Sequence, residues 1–311
     1  MSDRFPFPIP TGWFCVAWSH DLEVGQVLPL KYFGTDLVLF RTEDGVAHLL
    51  DAFCPHLGAH LGHGGVVDGD GIVCPFHAWK FDGAGTCTRI PYAKNTPKQA
   101  KLKPWSLVEK NNMILAWHSA SEAPPQWVVP DVDECNDDAW SEFTYREWTV
   151  GSCNQETGEN AVDSAHFCYL HGTQEVPPTK SKIINKHLMH TQSQTLMTTK
   201  MGSVEGNIDV QMFGFGFTLT RFTGLVETLL VSSNTPIDEE NCHLRFSFTV
   251  KKFGGREITG GIGKAFVKEI ARQLEQDIPV WENKIYLPRP VICDGDGPIG
   301  LYRNWAKGLY E

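Results

Sequence analysis

The chain has 311 residues, of which 27 are basic and 37 acidic, so its formal charge at pH 7 is −10. This charge argues against nucleic acid as a partner, because polyanions bind positive surfaces. The composition, 41 % hydrophobic and 21 % charged, is that of a globular protein with a sizeable core and excludes disordered and collagen-like chains. No apolar run reaches the roughly 18 residues that a membrane helix needs, and the first residues lack an apolar signal core. We therefore expect no membrane span and a cytoplasmic location, where the nine cysteines would be thiols or metal ligands.

The first third of the chain predicts a small all-β domain. Between Gly12 and Trp117, short apolar runs are separated by Gly, Asp, Asn and Pro turn signals at close intervals. The runs are WFCVAW, DLVLF, AHLLDAF, GIVCPF and NMILAW. Pro124-Pro125 and the acidic stretch 131–138 are typical of a linker. We expect one domain over 1–118, a linker over 119–139 and a second domain over 140–311.

The second domain predicts several strands and two helices. A strand over 144–150 is followed by a helix over 157–170, and a long helix spans 263–285. Further strands are predicted over 183–190, 208–212, 215–222, 225–231 and 243–250. Because the strands follow one another and the helices are grouped apart, the fold class is α+β with an antiparallel sheet.

Two cysteine–histidine pairs form the strongest chemical signal. Cys54-Pro55-His56 is followed, after 17 residues, by Cys74-Pro75-Phe76-His77. Each loop offers one thiolate and one imidazole, which suits a [2Fe–2S] cluster with cysteines on one iron and histidines on the other. A structural zinc site accepts the same four ligands, but classical zinc fingers place the two cysteines together and the two histidines together. We interpret the nearby His60 and His63 as polar loop residues.

These loops resemble the Rieske iron–sulfur domain, and the resemblance covers about residues 12–118. It implies that Cys54, His56, Cys74 and His77 hold the cluster. Rieske proteins of respiratory complexes carry one more cysteine in each loop, at positions that are Ala59 and Phe76 here. The loops are therefore similar to the disulfide-free kind found in oxygenases and ferredoxins. Ala78 stands where glycine is common, which can alter loop packing but removes no ligand.

A second cluster of metal-binding residue types follows the linker, within ENAVDSAHFCYLH. Asp163 and His166 are three residues apart and share a helix face. His166 and His171 are five apart, about 140° around a regular helix, and do not converge on one ion without distortion. We therefore predict a π-bulge or a helix end between the two histidines. Two imidazoles and one carboxylate form the triad that binds non-haem Fe(II).

The long helix offers candidates for that carboxylate. At about 100° per residue, its apolar residues span an arc from about −40° to 120°, measured from Phe266. Asp277 falls at about 20°, inside the arc, whereas Glu275, Glu282 and Glu269 lie outside it. An acid on a buried face is costly unless it is paired or bound to a metal, so Asp277 is our candidate. The alternative is an ordinary capped or salt-bridged acid.

Across its full length the sequence resembles the oxygenase components of Rieske non-haem iron oxygenases, whose motif is acid-x-x-His-x4-His. The resemblance implies a helix-grip catalytic domain in which His166 and His171 bind iron with Asp277. It implies that Asp163 bridges His166 to the cluster ligand His77 of a neighbouring subunit and that Asn160 lies near the iron. If Asp163 were instead the third iron ligand, Asp277 would be free.

The resemblance also implies cofactors and partners: a [2Fe–2S] cluster, a mononuclear Fe(II), a homotrimer, and electrons from an NAD(P)H-dependent ferredoxin reductase or a ferredoxin. The chain itself has no G-x-G-x-x-G motif after a strand, so no nicotinamide or flavin domain is expected within it.

The pattern is most similar to the group of bacterial 3-ketosteroid 9α-hydroxylases and animal cholesterol 7-desaturases. We expect a monooxygenase that hydroxylates a steroid or another bulky apolar molecule. Phe213, Phe215 and Phe217 either line an apolar pocket or belong to the core. The alternatives are a sterol desaturase, an oxygenase that dihydroxylates or O-demethylates an aromatic substrate, an electron-transfer Rieske protein without a second metal site, and a zinc-binding interaction module.

Overall fold

The computed structural model describes residues 4–199, 202–224, 226–252 and 261–310. The chain forms two compact units. The small unit consists of Cys15–His118 and Ala123–Gln126. The large unit consists of Met1–Phe14, Ser119–Glu122 and Trp127–Glu311.

Short strands make up the small unit, as the closely spaced turn signals predict. The strands are β1 (Gly12–Trp18, of which Cys15–Trp18 belong to this unit), β2 (Val27–Tyr32), β3 (Thr35–Arg41), β4 (Ala47–Asp51), β5 (Val66–Asp68), β6 (Gly71–Val73), β7 (Lys80–Asp82), β8 (Cys87–Arg89), β9 (Leu107–Lys110) and β10 (Met113–His118). They form sheets with the orders β2-β3-β4, β5-β6-β7-β8 and β1-β10-β9. Phe40, Leu61 and Phe81 form a buried cluster that includes Cys54 and Cys74. Both cysteines are thus embedded in the core of this unit.

The large unit is built on an antiparallel sheet of the strands β11 (Thr144–Val150), β12 (Thr179–Asn185), β13 (Leu188–Thr199), β14 (Gly202–Phe213), β15 (Phe217–Thr223), β16 (Thr228–Pro236) and β17 (Cys242–Val250). Their order in the sheet is β11-β17-β16-β15-β14-β13-β12. The helices are α1 (Asn154–Glu159), α2 (Ala165–Tyr169), α3 (Ile262–Asn283) and α4 (Ile299–Ala306). Consecutive antiparallel strands with few helices confirm the α+β class.

The long helix α3 packs its apolar stripe on this sheet. Val267 joins a buried cluster with Phe248, and Leu274 and Trp281 join another with Leu244. The prediction of a helix over 263–285 is confirmed to within two residues at each end. No helix in the described part of the chain has the length and apolar character needed to cross a bilayer.

One predicted strand, 183–190, is wrong. The chain forms a hairpin there, with β12 ending at Asn185 and β13 beginning at Leu188. The Asn185 side-chain oxygen accepts hydrogen bonds from the backbone N–H groups of His187 and Leu188, at 3.0 and 2.9 Å. This Asx turn reverses the chain inside a run of strand-forming residues. Leu225, the first residue of another predicted strand, lies outside the described residues, and β16 covers Thr228–Pro236.

The predicted single helix over 157–170 is also wrong, because the chain forms the two short helices α1 and α2. Between them, the backbone N–H of Ala165 donates to the Asp163 carboxylate at 3.2 Å. The Asp163 side chain thus accepts the hydrogen bond that, in a continuous helix, a backbone carbonyl would accept. The break places Asn160 in a turn directly after α1 and Asp163 in irregular chain before α2.

Two candidate metal centres

The two cysteine–histidine loops of the small unit have the same backbone geometry. In the first loop the carbonyl of Cys54 accepts a hydrogen bond from the N–H of Gly58 at 2.9 Å, and in the second the carbonyl of Cys74 accepts one from Ala78 at 3.1 Å. Gly58 has φ +77° and Ala78 has φ +55°. Each loop therefore closes on a left-handed residue, a conformation that glycine adopts without cost and alanine does not.

The four predicted cluster residues occupy these loops. The rings of His56 and His77 lie in contact, with centroids 4.6 Å apart, and the side chains of Cys54 and Cys74 are buried. Burial, together with the adjacent Cys74 thiol, raises the pKa of Cys54 to about 11. The buried Nδ1 of His56 has no hydrogen-bond partner among the described residues.

This donor set fits a [2Fe–2S] cluster. Two buried thiols and two imidazoles, one of each from either loop, are the ligands of a Rieske centre. Thiolates in an apolar core need a bound cation to be stable, and iron supplies one. A contact that the sequence does not reveal is also present: the His56 ring stacks on Trp79, with centroids 4.6 Å apart and an interplanar angle of 11°.

The large unit brings His166, His171 and Asp277 together. One possible ligand atom of each lies within 4.8 Å of the other two. Nε2 of His171 is 3.3 Å from Oδ1 of Asp277. The Asp277 side chain is buried in the stripe where its angular position on α3 predicts it.

The backbone between the two histidines is irregular, as their spacing predicts. Helix α2 ends at Tyr169. The carbonyl of His166 accepts hydrogen bonds from both Leu170, at 2.8 Å, and His171, at 3.3 Å. The second bond spans five residues, which is a π-type turn. This turn places the His171 side chain on the same side of the chain as the His166 side chain. The predicted helix end between the two histidines is confirmed.

Both imidazoles are oriented by hydrogen bonds at Nδ1. Nδ1 of His171 lies 3.1 Å from Oε1 of Gln276, and Nδ1 of His166 lies 2.5 Å from the backbone oxygen of Asp163. Oxygen acceptors at Nδ1 favour the tautomer that keeps Nε2 free to bind a metal. Gln276 was not predicted, because its role appears only when α3 and the histidine segment meet.

Asp163 and Asn160 lie beside the three gathered residues. The Asp163 side chain is about one-third exposed, and its Oδ2 is 3.9 Å from Nδ1 of His166. Asn160 accepts a hydrogen bond from the indole N–H of Trp281 on α3 at 3.1 Å. Asp163 does not belong to the group formed by His166, His171 and Asp277. The Asn160 side chain is held in place by Trp281 of α3.

Burial and charge act in opposite directions on the two histidines. Burial lowers the pKa of His166, despite the nearby Asp277 and Asp163 carboxylates. Burial alone would also lower the pKa of His171, but hydrogen bonding and attraction to Asp277, with help from Gln276, raise it.

A cavity of about 230 Å³ adjoins the three residues. It lies between the sheet and α3, and about half of its lining residues are apolar. The apolar lining consists of Ala161, Phe167, Ile208, Val210, Met212, Phe215, Phe222, Leu230, Leu244, Phe246, Ile270, Leu274 and Trp281. Of the three phenylalanines that the sequence singled out, Phe215 lines the cavity and Phe217 is fully buried.

Comparison with known proteins agrees with this architecture. The family profile described as "Rieske [2Fe-2S] domain" matches residues 12–105, and the one described as "3-Ketosteroid 9alpha-hydroxylase C-terminal domain" matches residues 116–310. An oxygenase component of 3-ketosteroid-9-alpha-monooxygenase from Rhodococcus rhodochrous is 32 % identical over 98 % of this chain and 85 % of that protein. Cholesterol 7-desaturase from Bombyx mori is 31 % identical over the whole chain and 72 % of that protein.

Solved structures share the fold. Dicamba monooxygenase bound to 3,6-dichlorosalicylic acid superposes with a TM-score of 0.78 at 20 % identity, covering 98 % of both chains. NdmA of Pseudomonas putida CBB5 with caffeine has a TM-score of 0.76 at 18 % identity, covering 95 % of this chain and 89 % of that one. The chain belongs to the 3-ketosteroid 9α-hydroxylase family of Rieske non-haem iron monooxygenases and is an oxygenase component, with a [2Fe–2S] cluster and a mononuclear iron.

Proposed function

We propose that this oxygenase component hydroxylates a steroid or sterol-like molecule. The observation that carries the proposal is the apolar cavity of about 230 Å³ beside His166, His171 and Asp277. The apolar side chains of this lining remove an apolar substrate from water, and polar side chains such as Thr218, Ser232 and Asn234 are available to orient it. One oxygen atom of O2 enters a C–H bond of the substrate and the other leaves as water, with two electrons and two protons consumed.

We assign the iron to His166, His171 and Asp277, and the cluster to Cys54, His56, Cys74 and His77. Buried Asp277 forms no ion pair with a lysine or arginine among the described residues, so a bound cation would compensate its charge. When bound, the iron supplies an open coordination position for O2 and the cluster supplies electrons one at a time.

The protein's own groups would orient these ligands and exclude water. Gln276 holds the His171 ring through Nδ1, and the Asp163 carbonyl holds the His166 ring in the same way. Trp281 fixes the Asn160 amide at the cavity wall through its indole N–H. These contacts leave both Nε2 atoms available for iron while the apolar wall keeps bulk water from the reacting C–H bond.

The Asp163 carboxylate would connect this site to a neighbouring subunit. Its side chain is partly exposed and is not one of the three gathered residues, so one oxygen can face a second chain. We propose that it bridges to His77 of the next subunit in a head-to-tail homotrimer, because heterologous contacts close into rings. We further propose a cytoplasmic location, which agrees with the absence of a disulfide among the nine cysteines.

Turnover tests this function. The purified chain, supplied with NADH and a surrogate ferredoxin reductase and ferredoxin, is incubated with a panel of 3-ketosteroids, sterols and aromatic acids, and the product masses are recorded. The proposal predicts one added oxygen on a steroid or sterol. A loss of two hydrogens would indicate desaturation instead. Turnover of aromatic acids alone, the class of the ligand in the dicamba monooxygenase structure, would contradict the substrate assignment.

A further inference from the structure

The surface of the small unit carries a basic segment in an otherwise acidic protein. Residues 83–108 contain five lysines or arginines and no aspartate or glutamate, whereas the remaining residues hold 22 basic and 37 acidic side chains, a formal charge of −15. We call 89–103, which contains all five cations, the basic segment. Lys94, Lys98 and Lys101 are exposed, and the described residues provide no ion-pair partner for them. Arg89 instead pairs with Asp68 at 2.6 Å.

The basic segment is held beside the second cluster loop. The backbone N–H of Cys87 donates to the carbonyl of Ala100 at 3.0 Å. The backbones of Lys101 and Thr86 form an isolated antiparallel β-bridge. The indole N–H of Trp79 donates to the phenol oxygen of Tyr92 at 2.8 Å. The segment is therefore fixed to the part of the chain that carries the proposed cluster ligands.

Aromatic groups connect a proposed cluster ligand to this surface. His56 stacks on the buried Trp79, which in turn bonds to Tyr92, and Tyr92 is 63 % exposed. Two further large apolar side chains at the first cluster loop are also exposed, namely Phe53 and Leu57. A surface with an apolar centre and a charged margin is the usual composition of a transient protein interface.

We propose that this surface is the docking site of an acidic electron-donor protein, such as a ferredoxin or the ferredoxin-like domain of a reductase. The lysines would attract the donor, and the exposed apolar residues would contact it. One electron would leave the reduced donor and enter the cluster on its His56 side, through or alongside Trp79. The proposal rests on the proposed cluster ligands, and it leaves the His77 side of the cluster for the neighbouring subunit.

Cluster reduction measured by stopped flow tests the docking site without any substrate. The probe is a reduced acidic plant-type [2Fe–2S] ferredoxin, whose potential of about −400 mV lies below that of Rieske centres. The wild-type second-order rate constant should fall as ionic strength rises. The variant Lys94→Glu/Lys98→Glu/Lys101→Glu should react roughly 10- to 100-fold more slowly at low salt and lose most of the salt dependence.

A matched variant with the same change of net charge is Lys180→Glu/Lys182→Glu/Lys264→Glu, which alters three exposed lysines of the large unit. It should keep the rate constant within about threefold of wild type, since steering is local. Reduction by dithionite should be equal in all three proteins. If the charge-reversed variant Lys94→Glu/Lys98→Glu/Lys101→Glu is unstable, the milder Lys94→Gln/Lys98→Gln/Lys101→Gln variant replaces it in the same measurement.

Three results would overturn the docking site. The first is a wild-type rate constant that does not depend on salt, and the second is an equal loss of rate in both triple glutamate variants. The third is an unchanged rate constant in the Lys94→Glu/Lys98→Glu/Lys101→Glu variant together with dissociation of its oligomer, which would identify the segment as a subunit contact. Because the readout is the cluster absorbance, absence of steroid turnover would contradict the proposed function and leave this test intact.

Discussion

Nε2 of His171 and Oδ1 of Asp277 lie 3.3 Å apart, although one residue follows α2 and the other lies within α3. The contact joins the irregular segment after α2 to the long helix. With His166 it completes a set of two imidazoles and one carboxylate, the ligand set of non-haem iron.

Replacing Asp277 with Asn should remove the mononuclear iron and leave the cluster in place. The amide is isosteric but carries no charge to compensate the cation, so iron should fall from about three to about two atoms per chain. Iron and acid-labile sulfide analysis measures this. Glu275→Gln, on an exposed position of the same helix, should keep all the iron. Equal iron content in the two variants would show that Asp277 is not a ligand.

Gln276→Leu should weaken iron binding by roughly 10- to 100-fold, the usual effect of removing a partner that orients a ligand. The His171 Nδ1 would lose its acceptor, and the imidazole tautomer would no longer be fixed. Titration of the iron-free protein with Fe(II) under anaerobic conditions gives the affinity. Gln276→Glu keeps an oxygen acceptor and should retain tight binding. If Leu and Glu weakened binding equally, a general packing effect would explain the loss.

Asp163→Asn should keep both metals and lower turnover roughly 100-fold. The His166 ring is held by the backbone carbonyl of Asp163, which the substitution leaves unchanged, so iron binding should survive. Steady-state product formation and the rate of cluster reoxidation with O2 and substrate are the two measurements. The exposed Glu142→Gln serves as the control. Undiminished turnover in the Asp163 variant would remove its proposed bridging role.

Ala78→Gly should stabilise the second cluster loop by about 0.5–1 kcal/mol. Alanine at φ +55° has a steric cost of about 1–2 kcal/mol, which glycine removes. Part of this gain is offset because glycine raises the conformational entropy of the unfolded chain. Heating while following the cluster absorbance reports the change. Ala84→Gly, in a turn with ordinary φ, should instead lower the bleaching temperature slightly. A lower temperature for the Ala78 variant would contradict the strain argument.

Local sequence patterns predict the elements of this fold where burial and periodicity agree. The stripe on α3 identifies both the helix and the buried Asp277, because an acid inside an apolar arc is conspicuous. The strand over 144–150 is confirmed, and the strand over 243–250, in which polar and apolar residues alternate, is confirmed with one more residue at its start. The hairpin at Asn185 and the break at Asp163 were missed because each depends on one side chain that accepts a hydrogen bond from the backbone N–H two residues later.

The contacts around the candidate sites were less predictable than the candidate residues themselves. The cysteines and histidines form sequence motifs, since their ligand atoms must come from short loops. Gln276 and Trp79 belong to no motif and gain their partners only when distant segments pack together. The tertiary fold therefore adds the residues that orient the ligands.

The most direct test of two iron centres in one chain is low-temperature EPR of the purified, iron-reconstituted protein, combined with quantitative iron and sulfide analysis. After reduction with dithionite we expect the rhombic signal of a Rieske cluster, with about two sulfides and three irons per chain. Absence of that signal, or a sample that holds zinc in place of iron, would contradict it.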